Sequence, residues 1–127
     1  MAEDVNISPD EKYILVRSSG SPSLIELEES LSKIAELRQK HNINKILVDS
    51  RSRSSQPMVT EIFQGGKLLV EKLGTRARVA ILVSEITSEH KLFENVTVNR
   101  GSTVAFFRNE DSACAWLDTG ADDEPVR

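Results

Sequence analysis

Arg78-Val79-Ala80-Ile81-Leu82-Val83-Ser84 is apolar at almost every position. A strand open to water on one face alternates apolar and polar residues, whereas a nearly continuous apolar run marks a strand covered on both faces, as in a parallel sheet. Two shorter runs, Lys45 to Asp49 and Thr103 to Phe107, resemble it, and all three are followed by helix-like segments. The pattern predicts an α/β sheet domain. In such sheets the loops after the strands, and the helix amino termini they feed, are the natural place for a ligand or a phosphate.

Downstream of this stretch, Thr87 or Ser88 can cap a helix carrying Leu92, Phe93 and Val96. The β-branched run Val96-Thr97-Val98 weakens its last turn, and Gly101 ends it. After the strand Thr103 to Phe107, Asn109 is expected to cap a short helix in which Ala113, Cys114, Trp116 and Leu117 reach the core before Gly120. Residues 121–127 read as an acidic, disordered tail that follows a domain at 1–120.

Upstream, Pro57 fits the first turn of another helix, where a missing N–H costs nothing. Met58, Val59, Ile62, Phe63, Leu69, Val70 and Leu73 give it a broad apolar face, and Gly74 supplies the stop. Gly65-Gly66 interrupts it at a cost of roughly 0.8 to 1 kcal/mol per glycine relative to alanine, so something approaches the backbone there. Either the sheet packs closely against the pair or a ligand does.

Nearer the amino terminus, Leu24, Leu27, Leu31, Ile34 and Leu37 recur at helical spacing and form one stripe facing the sheet. Two starts compete for this helix: Ser21 before Pro22, and Ser23 with Glu26 as a capping box. Its acidic early turns and basic last turn, ending in Arg38, Lys40 and His41, oppose the helix dipole and read as a solvated face. Val5 to Ser8 and Lys12 to Ser18 read as a strand pair joined at Ser8-Pro9-Asp10-Glu11. Tyr13-Ile14-Leu15-Val16 is apolar at both parities, which puts the second of these strands inside the sheet.

Composition narrows the class. A chain of 127 residues with 39% hydrophobic and 28% charged residues fits one globular domain with a full core. Its net charge of -4 argues against a nucleic-acid surface, which is normally basic. A single cysteine forbids an intrachain disulfide, Met1 to Asn6 lack the features of a leader, and a reducing cytoplasm is the simplest compartment. No apolar run approaches the roughly 20 residues that span a bilayer.

In order of elements the chain resembles the STAS domain, and its last third is similar to the SpoIIAA-like branch, also called STAS/SEC14. The resemblance is carried by Arg78 to Val83, by Phe93 to Gly101, by Val104-Ala105-Phe106-Phe107, and by Glu110-Asp111-Ser112-Ala113-Cys114-Ala115-Trp116-Leu117. In residue detail it extends from about Lys45 to Leu117. It implies a single STAS-like domain, a mixed sheet of four to five strands with about four helices. These are packing residues, so a fold is implied and not an activity.

Two functional implications follow from the resemblance. Anti-sigma-factor antagonists of this fold carry an aspartate-serine pair at a strand end, whose hydroxyl, at the helix start, a partner kinase phosphorylates; Asp49-Ser50 occupies the matching place. Those proteins continue through a small residue and glycine into the helix, whereas Arg51 to Gln56 intervene here. Kinship with SEC14 implies instead a carrier or sensor of a small apolar ligand, with Phe63, Gly65, Gly66, Leu69 and Phe93 as the contacts.

From the residues themselves, the stretch after the Lys45 to Asp49 strand stands out. Asp49, Ser50, Arg51, Ser52, Arg53, Ser54 and Ser55 combine hydroxyls with guanidinium groups ahead of a helix. Backbone donors, a positive helix end and two arginines suit a phosphate or carboxylate. A flexible polar connection with solvated arginines explains the same composition. No glycine-rich phosphate motif accompanies it.

No catalytic set is legible. His41 and His90 are not placed near Ser50 or Cys114, and Cys114 among Ala113, Ala115 and Trp116 reads as a small core residue. Glu89, His90 and Glu94 are too slight for a metal set and read as a solvated helical face, while Asp111 and Asp118 read as surface charge. The expectation is a non-enzymatic binding or regulatory module without cofactor or metal. Its partner is a protein or a small ligand, and a homodimer is the default assembly for a small domain.

Overall fold

The computed structural model describes residues 3–20, 24–53, 64, 67–69, 71–73, 77–99 and 103–119. In chain order the elements are β1 (Glu3–Ile7), β2 (Ile14–Gly20), α1 (Leu24–His41), β3 (Lys45–Arg53), helical residues at 64, 67–69 and 71–73 (α2), β4 (Arg78–Leu82), α3 (Ser88–Asn99), β5 (Thr103–Phe107) and α4 (Glu110–Thr119). One mixed sheet runs in the order β1-β2-β3-β4-β5, with β1 antiparallel to β2 and every other pair parallel. Expectations that concern Ser21 to Ser23, Ser54 to Phe63, Gly65, Gly66, Gly74, Gly101 and residues 120–127 lie outside the described residues.

The strand order decides the layers. Successive parallel neighbours joined by crossovers of one hand place every crossover helix on the same face of the sheet. Ile34 of α1, Leu69 and Leu73 of α2 and Phe93 of α3 accordingly share one core with Val16, Ile46, Val79 and Phe106. Chain left over after β5 must return across the opposite face, and α4 does so. Its Ala113, Trp116 and Leu117 pack on Tyr13, Leu47, Ala80, Leu82, Ala105 and Phe107. The doubly apolar run of β4 therefore divides by parity, Val79 and Ile81 facing three helices and Ala80 and Leu82 facing one.

Local chemistry sets the turns. Pro9 takes the second position of the β1–β2 turn, which closes with the Glu11 N–H donating to the Ser8 carbonyl at 2.9 Å. Ser8 Oγ donates to Asp10 Oδ1 at 2.6 Å and accepts the Tyr13 N–H at 3.1 Å. The chain leaves α1 through Asn42 in the left-handed region, φ 54°, one of the few residue types that tolerates it. Arg38 then ties this end of α1 across the helical layer, donating to Asn44 Oδ1 at 2.9 Å and to the Leu73 carbonyl.

Both helix starts read from the sequence are present. Asn109 Oδ1 accepts the Ser112 N–H at 3.1 Å. Between the two candidates for α3, Thr87 is the cap: its Oγ1 accepts the His90 N–H at 3.3 Å, and His90 Nδ1 reaches back to accept the Thr87 N–H at 3.1 Å. This is a reciprocal capping box in which histidine holds the position usually given to Glu or Gln. The run Val96-Thr97-Val98 stays helical to Asn99.

One inferred surface feature is corrected. His90 and Glu94, read as a solvated face, are buried. The His90 ring stacks on Phe106 with centroids 4.5 Å apart, and Glu94 Oε2 accepts the Phe106 N–H at 2.7 Å. β5 ends the sheet, so its outward N–H groups need acceptors, and an inward-turned carboxylate supplies one. Asp118, read as surface charge, is exposed, and it also accepts the Tyr13 hydroxyl at 2.6 Å and the Lys45 ammonium at 3.4 Å, tying α4 to the residue before β2 and to β3.

Candidate functional site

β3 carries the candidate site, and it does so as strand. Ser50 to Arg53, expected as loop after a strand ending at Asp49, continue the strand to its end. The extension has one strand partner, because β4 pairs with β3 only from Lys45 to Asp49, where Leu82 is the last match. On the other side β2 follows it further, pairing Ser19 with Ser52 and Gly20 with Arg53. Flanking hydrogen bonding on that side keeps serine and arginine extended where composition alone suggested a coil.

The pairing slips inside this extension. Arg17 lies opposite Asp49 and Ser19 opposite Ser52, so Ser50 and Arg51 together face Ser18. Two residues against one is a β-bulge, a device that re-aims side chains and is common beside functional sites. Asp49 builds it: Oδ1 accepts the Arg51 N–H at 3.1 Å and Nε at 3.0 Å, while Oδ2 accepts the other guanidinium nitrogen at 2.8 Å. Ser84 Oγ, at the carboxyl end of β4, donates to the Arg51 carbonyl at 3.4 Å. Beneath the bulge, Ser18 Oγ is buried and has no hydrogen-bond partner among the described residues.

Electrostatics follow the same clasp. Hydrogen bonds from Arg51 hold the Asp49 carboxyl below the usual carboxylate range, with Arg17 adding to the effect, and Asp49 in turn raises Arg51. The pair remains open to water. Arg51 is therefore turned onto its neighbour two residues back and does not stand apart as a free anion clamp. Ser50 is half-buried within β3, three residues short of the strand end, and not at a helix start. Ser52 is exposed, while Ser54 and Ser55 lie outside the described residues.

The remaining sequence candidates fall elsewhere. Leu69 is buried in the three-helix core and Phe93 packs edge-on to Phe106 at 5.9 Å, so both belong to the packed interior. Phe63, Gly65 and Gly66 lie outside the described residues. Cys114 is half-buried on α4 against the second core, where burial and the carboxylates of Glu110, Asp118 and Asp111 push its thiol up. Among the described residues no group of three His, Cys, Asp or Glu side chains is arranged to hold a metal ion, and no helix is long and apolar enough to cross a membrane. The bulge was invisible to sequence reasoning. Its signal, an aspartate two residues before an arginine at a strand end, is readable only once the strand register is known.

Sheet order, the antiparallel first strand and, among the described residues, a single helix on the second face are those of a SpoIIAA-like α/β fold. No family model matches the sequence, and no curated protein matches it closely enough to assign a family. Among solved structures, an uncharacterized DUF3478-family protein with a SpoIIAA-like fold from Shewanella loihica PV-4 matches with a TM-score of 0.56 and 18% sequence identity. The match covers 91% of this chain and 92% of that one. At this identity the likeness is one of fold.

Proposed function

We propose that this protein is a non-enzymatic binding or regulatory module that engages a protein partner or a small ligand through the bulged end of β3 and the segment that follows it. The observation that carries the reading is the bulge: Ser50 and Arg51 are displaced from the ladder, and Arg51 is held by Asp49, at the carboxyl edge of the parallel strands, where open α/β sheets receive ligands. The hydroxyls of Ser50, Ser52 and Ser84 and the Asp49–Arg51 pair offer donors and acceptors to a polar partner. An acylating or redox role is disfavoured because the Cys114 thiol is held protonated by burial and by neighbouring acids.

The exposure of the Asp49–Arg51 clasp makes a phosphorylatable switch at Ser50 the second reading: a phosphate there competes with Asp49 for the Arg51 guanidinium. Native mass spectrometry of the protein purified gently from its own host tests both. A bound molecule or partner that is lost in an Asp49→Asn, Arg51→Ala double variant supports the module. A phosphate mapped to Ser50 supports the switch, and a partner retained undiminished by the double variant rejects the bulge as the site.

A further inference from the structure

A groove of about 280 Å³ lies between β1 and α1, at the β1 edge of the sheet. Asp4, Val5 and Asn6 form its strand wall, and Glu26, Glu29 and Lys33 belong to the helical wall. Among the described residues β1 is the end strand of the sheet, so one side of its backbone has no strand partner.

The register tells which groups face outward. Ser8 donates its N–H to the Tyr13 carbonyl at 2.9 Å, one step beyond the Ile7–Ile14 match. Hydrogen-bonded positions recur at every second residue of an antiparallel ladder, so Asn6 and Asp4 bond to β2 while Val5 and Ile7 turn their N–H and C=O groups away from it. Val5 thus turns a donor and an acceptor toward the outer edge of β1, beside the groove, with its side chain held in the core.

Charge and apolar exposure select the occupant. The helical wall carries two carboxylates, Glu26 and Glu29, against one ammonium, Lys33, and Asp4 adds a further negative charge to the strand. Beside the groove and outside its lining, Ile25, one helical turn before Glu29, is 70% exposed, the exposed large hydrophobic residue among those described. A second copy of the chain would bring its own acidic β1 to this edge, so the charge opposes self-pairing. We infer that the groove takes an extended basic peptide segment, which adds to β1 as a sixth strand through the Val5 backbone and lays lysine or arginine side chains toward Glu29 and an apolar one toward Ile25.

The test uses a short peptide of alternating lysine and valine, titrated into the whole chain while amide exchange is followed by NMR. The expected result is binding that weakens with salt, slowed exchange at the Val5 amide, and affinity reduced about tenfold by Glu29→Lys. Ile25→Ser should also weaken binding, and both substitutions sit on the α1 surface where the fold tolerates them. Equal affinity in the wild type and Glu29→Lys overturns the inference, as does binding that leaves Val5 exchange unchanged. A matching peptide of glutamate and valine that binds equally well also overturns it. Val5 protection that grows with protein concentration in the absence of peptide assigns the edge to self-association and overturns it too.

Discussion

At the scale of single residues, two aspartates hold what the backbone would otherwise let go. Asp49 fixes the β3 bulge through Arg51, and Asp118 anchors α4 through Tyr13 and Lys45. Hydrogen bonds from Tyr13 and Lys45 hold the Asp118 carboxyl below its ordinary range, while burial and Asp118 together raise the Tyr13 hydroxyl. Both carboxyls are lowered in the folded chain, so the stability they contribute is complete above the unfolded value of about 3.9 and is lost as the pH falls through their folded values. Urea midpoints measured between neutral pH and about pH 2.5 should fall steeply below about pH 4. Asp118→Asn should flatten that fall and lower the plateau. Tyr13→Phe should cost about 1 kcal/mol in urea unfolding, and little further when combined with Asp118→Asn, because the two groups share one hydrogen bond.

At the scale of elements, two polar residues of α3, His90 and Glu94, are read incorrectly from composition because they point inward. Glu94 meets the Phe106 N–H at the edge of β5, and His90 completes the cap with Thr87 while stacking on the same phenylalanine. Removing the carboxylate leaves a buried backbone donor without its acceptor, which costs about 1 to 3 kcal/mol. Glu94→Ala should therefore unfold at clearly lower urea concentration, while Glu94→Gln, which keeps an acceptor oxygen, should recover much of the loss. A Phe106 amide that exchanges no faster in Glu94→Ala than in the wild type would show that the bond does not protect this edge. Thr87→Ala should cost about 1 kcal/mol, as loss of an N-cap does, with far-ultraviolet circular dichroism reporting fraying at the start of α3.

At the scale of the whole molecule, the two faces of the sheet are unequally covered. Among the described residues three helices share one face, whereas α4 alone covers the other, with Trp116 packed against Phe107 at 5.5 Å and beneath the Arg78 guanidinium at 4.2 Å. Arg78 also donates to the Trp116 carbonyl at 3.0 Å, placing a cation near the carboxyl end of α4, where the helix dipole favours it. Trp116→Ala should thus cost about 3 to 5 kcal/mol, more than truncation of a partly buried residue such as Leu31 on the better-covered face. Denaturant unfolding of the two variants decides it, and equal losses would mean that α4 is dispensable to the core.

Periodicity and punctuation made most of the architecture legible in advance. Continuous apolar runs place Val79 and Val104 in strands covered on both faces, spacing puts Ile34 on the inner stripe of α1, and the cap residues Thr87 and Asn109 start their helices, because each of these signals acts within a few residues of chain. The residue types of the candidate site were visible as well, since Asp49 to Ser55 is unlike its surroundings in composition. Its geometry belongs to tertiary structure. Whether Ser50 and Arg51 extend or loop depends on β2 lying alongside, and whether His90, Glu94 and Asp118 meet water or a partner depends on strands far away in sequence. Local propensity contributes tenths of a kcal/mol per residue, less than a paired strand or a satisfied buried donor contributes, so at these positions the register of the sheet prevails.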